Sequence, residues 1–331
     1  MRIFFPFNCL LIITAFSLSL SASLVSAQDK APAIATLHQV EGNVEVVTAK
    51  SPRGRRGNDG MLLHAGDQVR TSEESKATVE YRDGSRVRLF QNSEIVLNLS
   101  EEQSTSRRTF KYQLTLKKGS LRGRFLKGLQ RTKIRTPTAL IGVKGTSLRI
   151  TDNNNNATVS LTEGQLEVSN LTSSTILNPG QWLPDFGRTD DLTKKVGPIP
   201  NLLYLKTDVY ELDFRNEKSK QLEFSVQIQN NVSGKILERS GLVLFESDYN
   251  GIRLPKRFLL NEKGFARVLV GIDPTRLEDP EFKGLITIRA FMDGEGFDDI
   301  AEGSLVLKIR NLGKKRTILL DPDKGVVKKN D

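Results

Sequence analysis

An all-β chain is what this sequence predicts, and three observations predict it. Short runs alternate apolar and polar residues at period two, as in Thr78-Val79-Glu80-Tyr81 and Leu114-Thr115-Leu116. That pattern gives a strand one face in a core and one in water. Gly, Asn and Asp interrupt the runs at near-regular spacing and supply the positive-φ positions of tight turns. A chain of 331 residues, 37% hydrophobic and 27% charged, is also long enough to build two cores.

The elements follow in order. Arg2 precedes an apolar run, Ile3 to Leu24, that ends in the small residues Val25-Ser26-Ala27. This is the arrangement of an export signal over residues 1–27, cleaved after Ala27. The run is equally long enough to be kept as a membrane anchor. Cys9, the only cysteine, lies inside it. The mature chain is therefore expected to hold no disulfide, thiolate metal site or cysteine nucleophile. A polar leader leads to strands expected at 39–48, 62–70, 76–82, 86–90, 94–99, 110–117, 120–126, 132–135, 147–151, 157–162, 165–170 and 174–177. They form a first domain, 38–185, read as a β-meander closing into a solenoid-like sandwich. SPRGRRGNDG (51–60) reads as a flexible tip. Residues 186–200, rich in Pro, Gly and mixed charge, read as a linker. Seven further runs between 203 and 311, with turns every 8–15 positions, have the spacing of an immunoglobulin-like β-sandwich, placed at 201–315. Residues 316–331 read as a frayed tail.

Several pieces of the first domain stand in a telling order. They are EGNVEVV (41–47), LHAGDQVRT (63–71), YRDGSRVRLFQNSEIVL (81–97), KKGSLRGRF (117–125), the pair Gly145-Thr146, the strand Glu163-Gly164-Gln165-Leu166-Glu167-Val168 and the turn Asn178-Pro179-Gly180-Gln181. In this sequence of motifs the chain, over roughly 38–185, resembles FecR-type extracytoplasmic domains. Leu148 stands where that family commonly has an aromatic residue. The resemblance implies an envelope module and a part in signalling. The regulators that gave the family its name carry a cytoplasmic anti-sigma segment before their membrane span. Here only Met1 and Arg2 precede the apolar run, so direct sigma-factor control is not expected.

Charge is the sharpest functional feature. The net charge is +10, and from Gln103 to Thr151 thirteen Lys and Arg occur with no Asp or Glu. Arg122 and Arg124 flank Gly123, and Lys133 and Arg135 flank Ile134. Such spacing points each pair to one face of a sheet. Arg122, Arg124, Lys133, Arg135, Lys144 and Arg149 are the expected ligand-binding residues, on a stripe for an anionic partner. The same stripe is equally the solvated face of a sheet whose basic residues discourage edge pairing. Nucleic acid is not the expected partner, because aromatics are scarce in the stripe and the chain is exported. An envelope protein, an anionic polysaccharide or a peptidoglycan-associated polymer fits better, with peripheral membrane association in the same set.

Catalysis is not expected. His38 and His64 are the only histidines, and no HExxH, GxSxG or GxxxxGK[ST] motif is present. No cofactor fingerprint or metal set is legible. The acidic run Asp293 to Asp299 reads as a hairpin loop, without the spacing of a calcium loop. The sequence therefore predicts a non-catalytic, exported binding or scaffold protein of the bacterial envelope, periplasmic or extracellular. The alternative is a signalling adaptor that passes an envelope cue to a membrane partner.

Overall fold

The computed structural model describes residues 32–104, 107–126, 132–214, 219–247, 251–255, 257–273, 284–294, 301–310, 319–320 and 327–328. The expected export signal lies outside them, as does the acidic loop beyond Gly294. Fifteen strands form the first sheet: β1 (Ala35–Glu41), β2 (Val44–Thr48), β3 (Ser51–Arg56), β4 (Leu62–Leu63), β5 (Gln68–Thr71), β6 (Lys76–Tyr81), β7 (Arg86–Leu89), β8 (Glu94–Ser104), β9 (Arg107–Arg124), β10 (Thr132–Arg135), β11 (Leu140–Asp152), β12 (Asn156–Ser169), β13 (Ser174–Leu177), β14 (Gln181–Gly187) and β15 (Gly197–Pro198). Their inward residues, from Leu37 on β1 to Phe186 on β14, make one apolar core.

Motif residues hold this domain's corners. Asp83 accepts hydrogen bonds from the backbone and hydroxyl of Ser85 across Gly84, whose φ is +83°. The hydroxyl of Ser93 accepts from the Ser120 amide at 2.8 Å and donates to its carbonyl at 3.0 Å. That locks the turn before β8 to the bend at Gly119 (φ +92°). Gly145 (φ +61°) and Gly164 (φ +86°) meet where β11 and β12 shift register. A Cβ on Gly164 would overlap the Gly145 carbonyl.

The second half holds β16 (Asn201–Lys206), β17 (Glu211–Asp213), β18 (Lys220–Asn230), β19 (Gly241–Ser247), β20 (Ile252–Arg253), β21 (Arg257–Leu260), β22 (Phe265–Ile272), β23 (Leu285–Met292) and β24 (Glu302–Arg310). They form a four-stranded sheet, β16-β18-β22-β20, and a five-stranded sheet, β17-β24-β23-β19-β21. Both sheets contribute to a second core, with Phe224, Val226 and Val268 from one and Val243, Ile288 and Leu307 from the other.

All-β architecture stands; the only helical element among the described residues is one 3₁₀ turn, Leu192–Lys194. Several expected boundaries differ. The 51–60 tip begins as β3, whose Arg55 and Arg56 pair with β2. Gly42 (φ +72°) splits 39–48 into β1 and β2. The runs 110–117 and 120–126 fall in one strand, β9, and 157–162 and 165–170 in β12; a register shift at Lys117 beside Gly119 in the first, and a bulge at Gly164 in the second, let pairing continue across the break. The runs 203–213 and 252–260 each divide between the two sheets of the second sandwich. Residues 186–200, expected as a linker, carry the end of β14 and β15, and bury Leu192 and Ile199 fully. In the 316–331 tail, Leu319–Leu320 and Val327–Lys328 pair as two short strands.

Candidate functional site

The glycine bulges decide which residues leave the core. On β11 the inward residues are Ile141, Val143, Leu148 and Ile150. Parity therefore changes between 143 and 148, where the register shifts. Without the extra residue, Arg149 would point into the apolar core. β12 does the same between Leu161 and Leu166 at Gly164, and β9 between Leu116 and Leu121 at Gly119. Through these register shifts the outward faces of β11 and β12, and of β9 from Gln113 onward, stay on one side of the sheet. All six expected site residues lie on that outer face.

The second sandwich covers half of it. Arg88, Arg122 and Arg149 sit directly opposite one another on β7, β9 and β11. Like charges facing across strands destabilise a sheet. These three side chains are nonetheless buried, at 5%, 4% and 5% exposure. Buried charges require partners, and the second sandwich supplies them. Arg88 grips Asp293 with two hydrogen bonds, Nε to Oδ1 at 2.9 Å and Nη2 to Oδ2 at 3.2 Å. Lys76 reaches the same carboxylate at 3.1 Å. Arg122 donates from Nε to Glu302 Oε1 at 2.8 Å and from Nη1 to Glu246 at 3.4 Å. Its guanidinium lies 3.5 Å from the centre of the Phe291 ring. Arg149 donates to the carbonyl of Gly294 and stacks 4.4 Å from the centre of Phe90. The planar fork of arginine suits both the two-point carboxylate bond and the aromatic stack.

Glu302 is the hub. Besides Arg122, it accepts from Ser147 Oγ at 3.1 Å and Thr162 Oγ1 at 2.9 Å. Burial alone would raise its pKa, but the charge and hydrogen bonds of Arg122, with those of Thr162 and Ser147, hold it below the ordinary 4.5. Burial likewise works to lower the pKa of Arg122, and Glu302 and Glu246 overcome it, so the guanidinium is held more firmly charged than usual. Next to the Gly145–Gly164 bulge, Arg289 Nε donates to Glu163 Oε1 at 2.6 Å. Arg124 is half-buried, and burial, then the charge of Arg289, pushes it down to about 10.

Lys133, Arg135 and Lys144 occupy the uncovered half of the face and are exposed. Lys133 sits opposite Gly142, and Gly142 opposite Glu167; Arg135 sits opposite Leu140; Lys144 sits opposite Gln165. The six expected residues thus divide. Arg122 and Arg149 are interior and bonded to the chain's own second sandwich, Arg124 lies at its margin, and three face solvent.

Sequence reasoning missed Arg88, which lies outside the acid-free stretch yet stands in the same row. It also missed the acidic complement, Glu246, Asp293 and Glu302. Each falls at a strand end of the five-stranded sheet, so no sequence window shows them together. Among the described residues, no group of three or more His, Cys, Asp or Glu is arranged to hold a metal ion, and no helix is long and apolar enough to cross a membrane.

Comparison with known proteins bears on the first sandwich. The family model of the FecR protein matches residues 67–167, inside the 38–185 stretch that the motifs mark. That match includes Arg88, Arg122 and Arg149 as well as the open half of the face. An anti-sigma factor candidate from Parabacteroides distasonis ATCC 8503 is similar at 16% identity, with a TM-score of 0.30, over 51% of this chain and 57% of its own. A glycosyl hydrolase family 2 member from Bacteroides cellulosilyticus is similar at 9% identity, with a TM-score of 0.25, over 84% of this chain and 28% of its own. The chain therefore spans less than two thirds of either neighbour. No curated protein matches it.

Proposed function

We propose that this is an exported, non-catalytic binding protein of the bacterial cell envelope. Its FecR domain offers the open half of the outer face to an anionic partner, either the carboxylates of an envelope protein or an anionic polysaccharide. One observation carries this reading. Half of the face already holds carboxylates, through Arg88 and Arg122, and the other half continues with Lys133, Arg135 and Lys144 in solvent. The second sandwich, of immunoglobulin-like kind, acts as a fixed clamp on the covered half. A second reading, that the protein relays an envelope cue to a membrane partner, is favoured by the FecR domain at 67–167.

The test is binding of the exported chain to polyglutamate and to polygalacturonate at rising salt. Binding should weaken steeply once screening reaches the length of about 8 Å found at physiological ionic strength. The triple variant Lys133→Glu, Arg135→Glu, Lys144→Glu should abolish it. Its stability should stay within about 0.5 kcal/mol per position, because exposed substitutions rarely cost more. Salt-insensitive binding, or full binding by the triple variant, refutes the proposal. Preference for one polymer decides between protein carboxylates and polysaccharide.

A further inference from the structure

A second concentration of positive charge lies on the hairpin of β2 and β3. Lys50, Arg53, Arg55 and Arg56 follow one another there with no acid among them. All four are exposed, and among the described residues none of their side chains has an ion-pair or hydrogen-bond partner. Further into the sheet the same charge is neutralised: Arg70 on β5 and Lys117 on β9 both bond Glu94, at 3.4 and 3.1 Å. Glu45 stands opposite Arg56 on β2 but makes no ion pair with it; its carboxylate lies over Gly54, where a Cβ would meet Oε2 at 3.4 Å. The backbone spreads these cations. Val46 pairs with Arg55, and Glu45 with Arg56. Successive strand residues point to opposite faces, so Arg55 and Arg56 leave the ribbon on its two sides. Val46 is fully buried while Arg55 is exposed, so β3 overhangs the core and both of its sides meet solvent. Next along, Val47 alone stands against Pro52, Arg53 and Gly54, the last at φ +84°. A proline and a bulge already deny an edge to a further strand. Edge protection is complete without the arginines, and strand addition is not the use of this hairpin.

We infer that the β2–β3 hairpin docks the exported chain on an anionic phospholipid surface. A groove for a single polymer or a single carboxylate gathers its cations on one face. Here they project on both sides of a ribbon, which suits a fluid layer of phosphate headgroups that can close around it. Residues 49–56 hold no large apolar side chain that could enter the acyl region. Contact is therefore with headgroups alone, electrostatic and reversible. A basic residue at such a surface contributes about 1 kcal/mol, or about fivefold in affinity, so the four together give several hundredfold. The site is on other strands than Lys133, Arg135 and Lys144, and it takes from the envelope reading only that the exported chain meets lipid.

Vesicle co-sedimentation of the exported chain tests the inference, with vesicles of phosphatidylcholine alone and of phosphatidylcholine mixed with phosphatidylglycerol. The expected result is binding to the mixed vesicles only, with release at molar salt, where the screening length falls to about 3 Å. The variant Arg53→Ser, Arg55→Ser, Arg56→Ser should bind about a hundredfold more weakly, at about fivefold per residue. An unchanged thermal midpoint shows that it is folded. The variant Arg53→Lys, Arg55→Lys, Arg56→Lys should keep its binding within a few-fold, because a headgroup layer answers to charge and not to the guanidinium fork. The open-face variant Lys133→Glu, Arg135→Glu, Lys144→Glu should keep most of its vesicle binding, so failure here and failure of the open-face reading are told apart. Four results overturn the inference: equal binding to neutral vesicles; parental binding by the serine variant; loss of binding in the lysine variant; or hairpin-dependent binding to polygalacturonate or polyglutamate that exceeds binding to the mixed vesicles, which would assign the hairpin to a soluble polymer.

Discussion

Replacing Glu302 by alanine tests the docking of the two sandwiches most directly. The substitution takes from Arg122, 4% exposed, its 2.8 Å partner and leaves the longer contacts to Glu246 and Ser147, each at 3.4 Å, and the stack on Phe291. It also strips the hydroxyls of Ser147 and Thr162 of an acceptor. Removing one member of a buried ion pair costs about 3–5 kcal/mol. Glu246 and Ser147 both soften the loss, so about 3 kcal/mol is expected. The double variant Arg122→Met, Glu302→Leu removes both charges of the closest pair and fills the space with apolar atoms, while Glu246 keeps the charge of Arg124 nearby. Such replacements are near neutral or stabilising, so it should be more stable than Glu302→Ala alone. The assay is urea unfolding, followed by far-UV circular dichroism and by the fluorescence of Trp182. As the sole tryptophan, on β14, Trp182 reports the first sandwich. Glu302→Ala should also separate the two signals, with the second sandwich released first. A loss below about 0.5 kcal/mol, within the range of ordinary surface changes, would refute the ion-pair account. So would a double variant whose loss is the plain sum of the two single ones.

Three further outcomes are expected. Glu302 has a depressed folded pKa, so its contribution is complete above the unfolded value near 4.5 and is lost as pH falls through the lower folded value; urea midpoints should therefore hold from neutrality to about pH 5 and drop below that, with the drop absent in the Arg122→Met, Glu302→Leu variant. Gly164→Ala forces a Cβ against the Gly145 carbonyl at φ +86° and should cost more than about 2 kcal/mol, the scale of backbone strain at such sites; thermal unfolding reads it, and a shift no larger than that of Gly60→Ala, where nothing lies within 4 Å, would count against the bulge. Limited proteolysis should spare 186–200, where Leu192 and Ile199 are buried and the backbone is paired; first cuts there would show the segment to be the hinge its composition suggests.

Much of the fold was legible because strands announce themselves locally. Period-two runs such as Thr78 to Tyr81 need only their own neighbours to be read, and Gly84 or Gly180 marks a turn wherever it stands. What was not legible depended on pairing at a distance. The break at Gly119 looks like a turn in one dimension, yet β9 runs through it because β7 and β11 pair with the far side. Residues 186–200 look like a linker because Pro, Gly and mixed charge leave no periodicity, although Phe186 and Leu192 are enough to fasten the segment to the first core.

The basic stripe shows how far a local charge count can reach. Thirteen basic residues without an acid signal that this stretch draws negative charge from elsewhere, and bulge parity keeps Arg122, Arg124, Lys144 and Arg149 on the outer face despite the glycine interruptions. The count cannot name the source, because Glu246, Asp293 and Glu302 each look unremarkable in their own surroundings and meet only when β19, β23 and β24 align. An intramolecular source explains why the arginines of the stripe concentrate in the covered half. Arg88, Arg122 and Arg149 each use the flat guanidinium for a stack or a two-point bond, which a lysine ammonium cannot reproduce. In the open half, lysines stand at 133 and 144 beside Arg135, and there the side chains remain hydrated and no stack is made. The division between arginine and lysine along one face thus follows the division between a contact built within the chain and side chains left in solvent.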